Sequence, residues 1–190
     1  MSSCIVNVGG VEVHTTVIKS ASMLDTYVHE LRALCAGHTK PICGLDVEWN
    51  PTSTQNVSIL QLCIGTRCLI IQLCYLNVVP ESLKNLLAAS DVSFVGVGIT
   101  QEIAKLSKGY GLVCSNAIEL GPLAARVHGN PKYKEYGLAN LARGIVGLNV
   151  EKPTSVTCSC WNNDPLTDAQ IQYATIDAYA SNLIGKKLLG

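Results

Sequence analysis

The spacing of apolar and polar positions predicts strands in the first half of the chain. Ile5 to Val8 and Val11 to Ile18 are rich in β-branched residues and flank two glycines. This pattern is typical of a β-hairpin. From Ala21 to Ala36 the apolar side chains instead recur every three or four positions, which predicts a helix that follows the hairpin.

Three apolar segments after this helix predict an antiparallel meander. They are Ile42 to Trp49, Val57 to Ile64 and Cys68 to Leu73, and the stretch from Asn50 to Ser53 is predicted to be a loop. A further apolar strand is predicted from Phe94 to Val97. The first of these strands is unusual because it contains two acidic residues.

The remaining apolar segments predict mainly helices. They span Pro80 to Ala89, Gln101 to Lys108, Leu120 to Val127, Leu138 to Arg143 and Thr167 to Leu188. The last helix opens with Thr167 and Gln170, which have the spacing of a capping box. Gly144 to Pro165 is predicted to be a mostly irregular connection. Strands followed by helices indicate an α/β fold with a mixed sheet flanked by helices, in a single domain over residues 1–190.

Composition and charge restrict the kinds of partner. Hydrophobic residues make up 48% of the chain and charged residues 15%, which is typical of a folded domain with a large core. The 14 basic and 14 acidic residues give a net charge of zero. A protein that holds nucleic acid by bulk charge is expected to be basic, so any such contact here must be local, through a small basic patch or bound metal.

The cysteines indicate a reducing compartment. The chain has nine, an odd number, without a C-x-x-C pair, and its four histidines show no metal-ligand spacing. We therefore expect free thiols buried as small hydrophobic side chains, in a cytoplasmic protein, with nuclear residence as the alternative. The first residues lack the pattern of a signal peptide, and no apolar run approaches the roughly 18 residues of a membrane span.

Two acids share one face of the third predicted strand. Asp46 and Glu48 are two residues apart, so their side chains point the same way. Such a pair among apolar neighbours is costly unless a cation compensates it, and oxygen ligands alone suit Mg²⁺ or Mn²⁺. An edge strand whose polar face meets solvent explains the pair equally well at this point.

Three more residues become candidates only in combination. Tyr173 and Asp177 lie four apart and share a helix face, an arrangement that a core tyrosine and a surface aspartate also produce. Glu102 stands where a predicted strand passes into a helix, and acids are common there because they favour the helix dipole. None of the three is diagnostic alone.

Together these segments resemble the DEDD superfamily of 3′→5′ exonucleases. The resemblance is to the subgroup with a tyrosine in its third motif, which includes ribonuclease D and the Werner-type exonuclease domain. The matching segments are Gly44 to Trp49, Val95 to Leu106, Tyr136 to Leu141, Cys158 to Trp161 and Pro165 to Tyr179. The resemblance covers about residues 25–189 and implies a ribonuclease-H-like (DnaQ-like) fold.

The resemblance also implies a two-metal hydrolysis of phosphodiesters that releases nucleoside 5′-monophosphates. Two Mg²⁺ or Mn²⁺ ions would be held by Asp46, Glu48, Glu102 and Asp177. Tyr173 would orient or deprotonate the attacking water. Val47 and Trp49 flank the first-motif acids and could contact the terminal nucleotide, although packing of Trp49 against the sheet edge is an equal alternative.

One position departs from the family pattern, which has aspartate where this chain has Glu102. The longer side chain either keeps a metal or water role through another rotamer, or leaves the site degenerate. The second outcome corresponds to a catalytically weakened homologue that binds nucleic acid or a protein partner as a scaffold.

A narrower resemblance concerns the substrate. A compact, cysteine-rich and neutral exonuclease domain is similar to the plant RISC-interacting clearing exoribonucleases. This resemblance implies single-stranded RNA as substrate, assembly as a homohexamer, and association with Argonaute. The alternative is a DNA exonuclease that trims 3′ ends in repair, because the motifs do not reveal which group reads the 2′-hydroxyl.

Overall fold

A seven-stranded mixed sheet forms the centre of the computed structural model, which describes residues 1–51 and 57–190. The strands are β1 (Ser2–Val8), β2 (Val11–Ile18), β3 (Ile42–Trp49), β4 (Val57–Ile64), β5 (Arg67–Ile71), β6 (Ser93–Gly96) and β7 (Ala117–Glu119). Their order is β1-β2-β5-β4-β3-β6-β7. β2–β5, β3–β6 and β6–β7 are parallel pairs, and the other neighbours are antiparallel.

The predicted hairpin and meander are confirmed. β3 and β4 have the predicted bounds, whereas the strand predicted from Cys68 to Leu73 ends at Ile71 because the chain turns into a 3₁₀ helix at Leu73–Tyr75. β7 escaped prediction because three residues are too few to show a period. Thr52 and Ser53 of the predicted loop lie outside the described residues.

Seven α-helices accompany the sheet in the described ranges. They are α1 (Ala21–Cys35), α2 (Glu81–Ala88), α3 (Ile99–Tyr110), α4 (Leu120–His128), α5 (Leu138–Leu141), α6 (Thr154–Thr157) and α7 (Asp168–Leu189). A 3₁₀ helix at Pro131–Glu135 was not predicted, and the helix predicted from Leu138 to Arg143 becomes a π-helix at Ala142–Val146. None of these described helices combines the length and apolarity that a membrane crossing requires.

The helices cover both faces of the sheet. Apolar residues of α1, α2 and α3 pack together against one face, and α7, α4 and α5 pack against the other. Strand periodicity divides β3 between the two sides: Leu45 and Val47 join the α1 core, whereas Ile42 joins the α7 core. Asp46 and Glu48 therefore project from the sheet on the side of α7.

α7 lies unusually close to β3 because a glycine stands between them. A Cβ atom added to Gly44 would lie 2.0 Å from the Ala178 carbonyl oxygen and 2.7 Å from the Asn182 backbone nitrogen. The Asn182 side chain also donates a hydrogen bond of 2.6 Å to the Ile42 carbonyl. At its other end α7 begins with the predicted capping box. These contacts fix the height of α7 above the acidic residues of β3.

All nine cysteines are free, as expected, but the prediction that they are buried is only half correct. Cys35, Cys43, Cys63 and Cys68 are buried within α1 and the central strands. The prediction is wrong for Cys4, Cys74, Cys158 and Cys160, which are exposed because they lie in the edge strand, a 3₁₀ helix and the connection before α7.

Candidate active site

Three carboxylates from β3 and α7 converge on the side of the sheet that α7 covers. Asp46, Glu48 and Asp177 offer oxygen atoms that all lie within 4.8 Å of one another. Asp177 is 1% exposed, and the other two are half-buried. β3 is an interior strand between β4 and β6, so the alternative of an edge strand facing solvent is wrong.

Burial and mutual repulsion make this carboxylate group costly without a cation. Burial, and then the charge of Asp177, raises the pKa of Asp46 to about 7. Burial and the charges of both neighbours raise the pKa of Glu48 to about 9. Burial also raises the pKa of Asp177, whose Oδ1 has no hydrogen-bond partner among the described residues. This all-oxygen group fits Mg²⁺ or Mn²⁺ in a two-metal site.

Glu102 approaches the same site from α3 and interacts with Asp46. It lies in the first turn of α3 and is only 8% exposed. Burial, the charge of Asp46 and a hydrogen bond with Asp46 raise the pKa of Glu102 to about 11. In the absence of metal, burial thus favours the protonated form of Glu102, which can donate a hydrogen bond to Asp46, and Glu102 is not the surface acid that the helix-dipole alternative requires. It is not part of the three-carboxylate group described above.

Two residues that sequence patterns did not single out hold these acids in place. Gln61 lies opposite Asp46 on β4, and its amide nitrogen is 3.4 Å from an Asp46 carboxylate oxygen. Glu119, at the end of β7, accepts a hydrogen bond of 2.6 Å from the backbone of Gly98. Gly98 caps α3 with a φ of 78°, a conformation that favours glycine, so this contact fixes the turn that presents Glu102.

Tyr173 lies one helical turn before Asp177 and faces the same site. Its side chain is buried, and its ring packs 5.8 Å from the ring of Trp161. Burial, and then the charge of Asp177, raises the pKa of Tyr173 far above its usual value. The phenol is therefore a neutral hydrogen-bond donor. A neutral phenol can orient the attacking water but is a poor base for removing a proton from it.

Lys152 completes the site, and sequence analysis missed it. Its ammonium forms an ion pair with Asp177 Oδ2 and lies 3.0 Å from the Tyr173 hydroxyl oxygen. Lys152 comes from the irregular connection before α6, where no periodicity indicates which way a side chain points. Only the folded chain brings it to α7.

The two residues predicted to contact the terminal nucleotide differ in orientation. Val47 is 2% exposed and belongs to the α1 core, so its side chain points away from the carboxylates, and its contact with the terminal nucleotide stays a prediction. Trp49 is 37% exposed, and the Lys105 ammonium lies 4.2 Å from the centre of its ring. Trp49 therefore offers an accessible aromatic surface with a cation beside it.

Comparison with known proteins places these motifs in one family. The profile of the 3′-5′ exonuclease domain family matches residues 16–189. The chain is 32% identical over 155 residues to the mouse bifunctional 3′-5′ exonuclease/ATP-dependent helicase WRN, covering 77% of this chain and 11% of that protein. It is 32% identical over 143 residues to an Arabidopsis thaliana 3′-5′ exonuclease, covering 73% of this chain and 49% of the relative. The chain thus spans half or less of both relatives.

Solved structures share the fold. The EXD2 exonuclease domain soaked in Mn is 28% identical, with a TM-score of 0.56 over 93% of this chain and 89% of that one. The Aedes aegypti Nibbler EXO domain has a TM-score of 0.74 at 20% identity over 92% of this chain and 86% of that one, a likeness of fold alone. Profile, relatives and fold agree with the acidic motifs, and the chain belongs to the 3′-5′ exonuclease domain family.

Proposed function

We propose that this chain is a metal-dependent exonuclease that degrades single-stranded RNA from its 3′ end to nucleoside 5′-monophosphates. The convergence of Asp46, Glu48 and Asp177, with oxygen atoms within 4.8 Å of one another, carries this proposal, because carboxylate oxygens are the ligands that Mg²⁺ and Mn²⁺ prefer. The family match over residues 16–189 supports exonuclease chemistry at this group. We further propose that residues 1–190 form a single exonuclease domain.

Each side chain has a distinct proposed role in hydrolysis. Asp46, Glu48 and Asp177 would hold two Mg²⁺ or Mn²⁺ ions, which supply an activated water and charge for the leaving 3′ oxygen when bound. Tyr173, as a neutral phenol, orients the attacking water. Glu102 acts through Asp46, because its hydrogen bond holds that carboxylate in place. In this role the longer side chain does not need to bind a metal ion directly.

Trp49 and Lys105 form the proposed contact with the terminal nucleotide. An aromatic face holds a base by stacking, and such stacking is worth about 1–3 kcal/mol per base. Trp49 is exposed just beyond Glu48 on β3, and Lys105 adds positive charge 4.2 Å from the ring centre. One local cation is consistent with a chain whose net charge is zero.

The preference for RNA rests on the narrower resemblance to the plant RISC-interacting clearing exoribonucleases. That resemblance also supports a homohexamer and an association with Argonaute. The nine free cysteines support a cytoplasmic location, because exposed thiols persist in a reducing compartment. Light scattering tests the assembly: a particle of about six times 20.2 kDa is expected, and a monodisperse monomer would contradict it.

The second candidate is a DNA exonuclease. The EXD2 exonuclease domain, 28% identical to this chain, has been solved after soaking in Mn and dGMP, which supports a deoxynucleotide substrate. Digestion of matched 5′-labelled single-stranded RNA and DNA separates the two candidates. Wild type is compared with Asp46→Asn, and Asp25→Asn on the exposed face of α1 is the matched control.

We expect a ladder that shortens from the 3′ end of RNA, with wild type and Asp25→Asn but not with Asp46→Asn. A ladder on DNA alone would favour the repair function. Well-folded wild type without activity on either strand, in Mg²⁺ or Mn²⁺, would refute the enzyme and leave a binding scaffold.

A further inference from the structure

A lysine forms an ion pair with one acid of the carboxylate group. The Lys152 ammonium forms an ion pair with Asp177 Oδ2, one of the three carboxylates that converge within 4.8 Å. In the described ranges, 1–51 and 57–190, it is the only basic side chain in an ion pair with this group. A single ammonium thus stands beside the carboxylate group and is bound to Asp177.

The geometry permits Lys152 to leave Asp177 without losing its second partner. Its side chain is 35% exposed, whereas that of Asp177 is 1% exposed, so the lysine approaches from the solvent side. Its ammonium also lies 3.0 Å from the Tyr173 hydroxyl oxygen and 4.8 Å from the centre of the Tyr173 ring. A flexible four-carbon stem can move a charge over such short distances.

We propose that Lys152 competes with the divalent ion for Asp177 and is a positioning residue for Tyr173 once the ion has bound. This inference rests on the proposed function only through the metal site. An ammonium on Asp177 offsets part of the carboxylate repulsion before an ion arrives. A divalent ion at the same carboxylate must displace that ammonium or accept its repulsion, and both lower the affinity for metal.

The direction of the effect distinguishes this proposal from a structural role. If Lys152 merely holds Asp177 in place, its removal weakens metal binding, as loss of supporting contacts usually does. If Lys152 competes, its removal tightens metal binding. The change should be at least about tenfold, because a full charge at hydrogen-bond distance is lost, although partial exposure of the lysine reduces the effect.

Manganese affinity, measured by electron paramagnetic resonance without nucleic acid, tests the proposal. Lys152→Met is compared with Lys187→Met, which removes the same charge from α7 at an exposed position about 15 Å from Asp177 along the helix. Lys152→Arg keeps the charge and serves as a second variant. Thermal unfolding with chelator checks that each variant is folded.

We expect Lys152→Met to bind Mn²⁺ at least about tenfold more tightly than wild type, with Lys187→Met and Lys152→Arg unchanged within about threefold. At saturating metal, we expect Lys152→Met to have a lower kcat, because Tyr173 has lost its partner. Unchanged or weaker Mn²⁺ binding by folded Lys152→Met, with wild type binding normally, would overturn the inference alone. Wild type that binds no Mn²⁺ would overturn the proposed function together with it.

Discussion

The tight contact between β3 and α7 makes Gly44→Ala a severe test of how the site is positioned. The added Cβ would stand 2.0 Å from the Ala178 carbonyl oxygen, whereas real Cβ atoms almost never approach other atoms within 3.0 Å. β3 and α7 must therefore separate by at least about 1 Å locally. Asp46 lies two residues along β3, and Asp177 immediately precedes Ala178, so this separation pulls the carboxylates apart.

The losses of stability and activity expected for Gly44→Ala are large because the added Cβ would meet backbone atoms, which cannot move away by changing a rotamer. Overpacking a core typically costs about 1–3 kcal/mol, and we expect Gly44→Ala to cost about 3 kcal/mol or more. For a domain of this size that corresponds to a fall in Tm of roughly 6–12 °C. A displacement of about 1 Å between reacting groups can cost about 10²-fold in rate, so activity should fall at least that far.

Calorimetry and Mn²⁺-dependent hydrolysis of single-stranded RNA measure both effects. Gly37→Ala is the control, because its added Cβ would meet nothing within 4 Å. We expect Gly37→Ala to change stability by less than about 0.5 kcal/mol and to leave activity intact. A Gly44→Ala protein with the Tm and activity of wild type would refute the argument that this close approach sets the spacing of the carboxylates.

Three further predictions concern the acids and the phenol. Glu102→Gln keeps a hydrogen-bond donor for Asp46, so we expect it to retain activity within about threefold. If Glu102 instead bound the metal directly, loss of that ligand would lower activity about 100-fold. Tyr173→Phe should lower single-turnover hydrolysis by about 10²-fold and leave Mn²⁺ affinity unchanged; a matching loss of affinity would count against a role in orienting water. In chelator, Glu48 has a pKa of about 9 when folded against an ordinary 4.5, so the folded state binds the extra proton. Its contribution to stability is therefore greatest below pH 4.5 and is lost as pH rises towards about 9. The urea midpoint should fall from pH 6 to pH 9, less steeply in Glu48→Gln; a midpoint that rises in wild type alone would contradict this assignment.

The sequence pattern predicted the bounds of an element best where that element contained a long apolar segment. β3 and β4 begin and end where the sequence predicts, because each has enough apolar positions to exclude a helix. The capping box at Thr167 fixed the start of α7. The period of two also placed Asp46 and Glu48 on one face. The same period places the Val47 side chain on the opposite face, within the α1 core.

Contacts between distant segments could not be predicted in this way. Lys152 reaches Asp177 from an irregular connection, and Glu119 reaches Gly98 from a strand of three residues. Neither segment carries a periodic signal. The raised pKa of Glu102 depends on its burial and on the charge of Asp46, which only the assembled site determines.

Release of label from the 3′-terminal nucleotide of a single-stranded RNA tests the central claim most directly. Wild type and Asp177→Asn are compared in Mn²⁺ and in chelator, and products are separated as mononucleotides and longer fragments. We expect labelled nucleoside 5′-monophosphate as the first product, from wild type with metal and from no other combination. Equal release by folded Asp177→Asn, or label that first appears in longer fragments, would contradict a 3′→5′ exonuclease built on Asp46, Glu48 and Asp177.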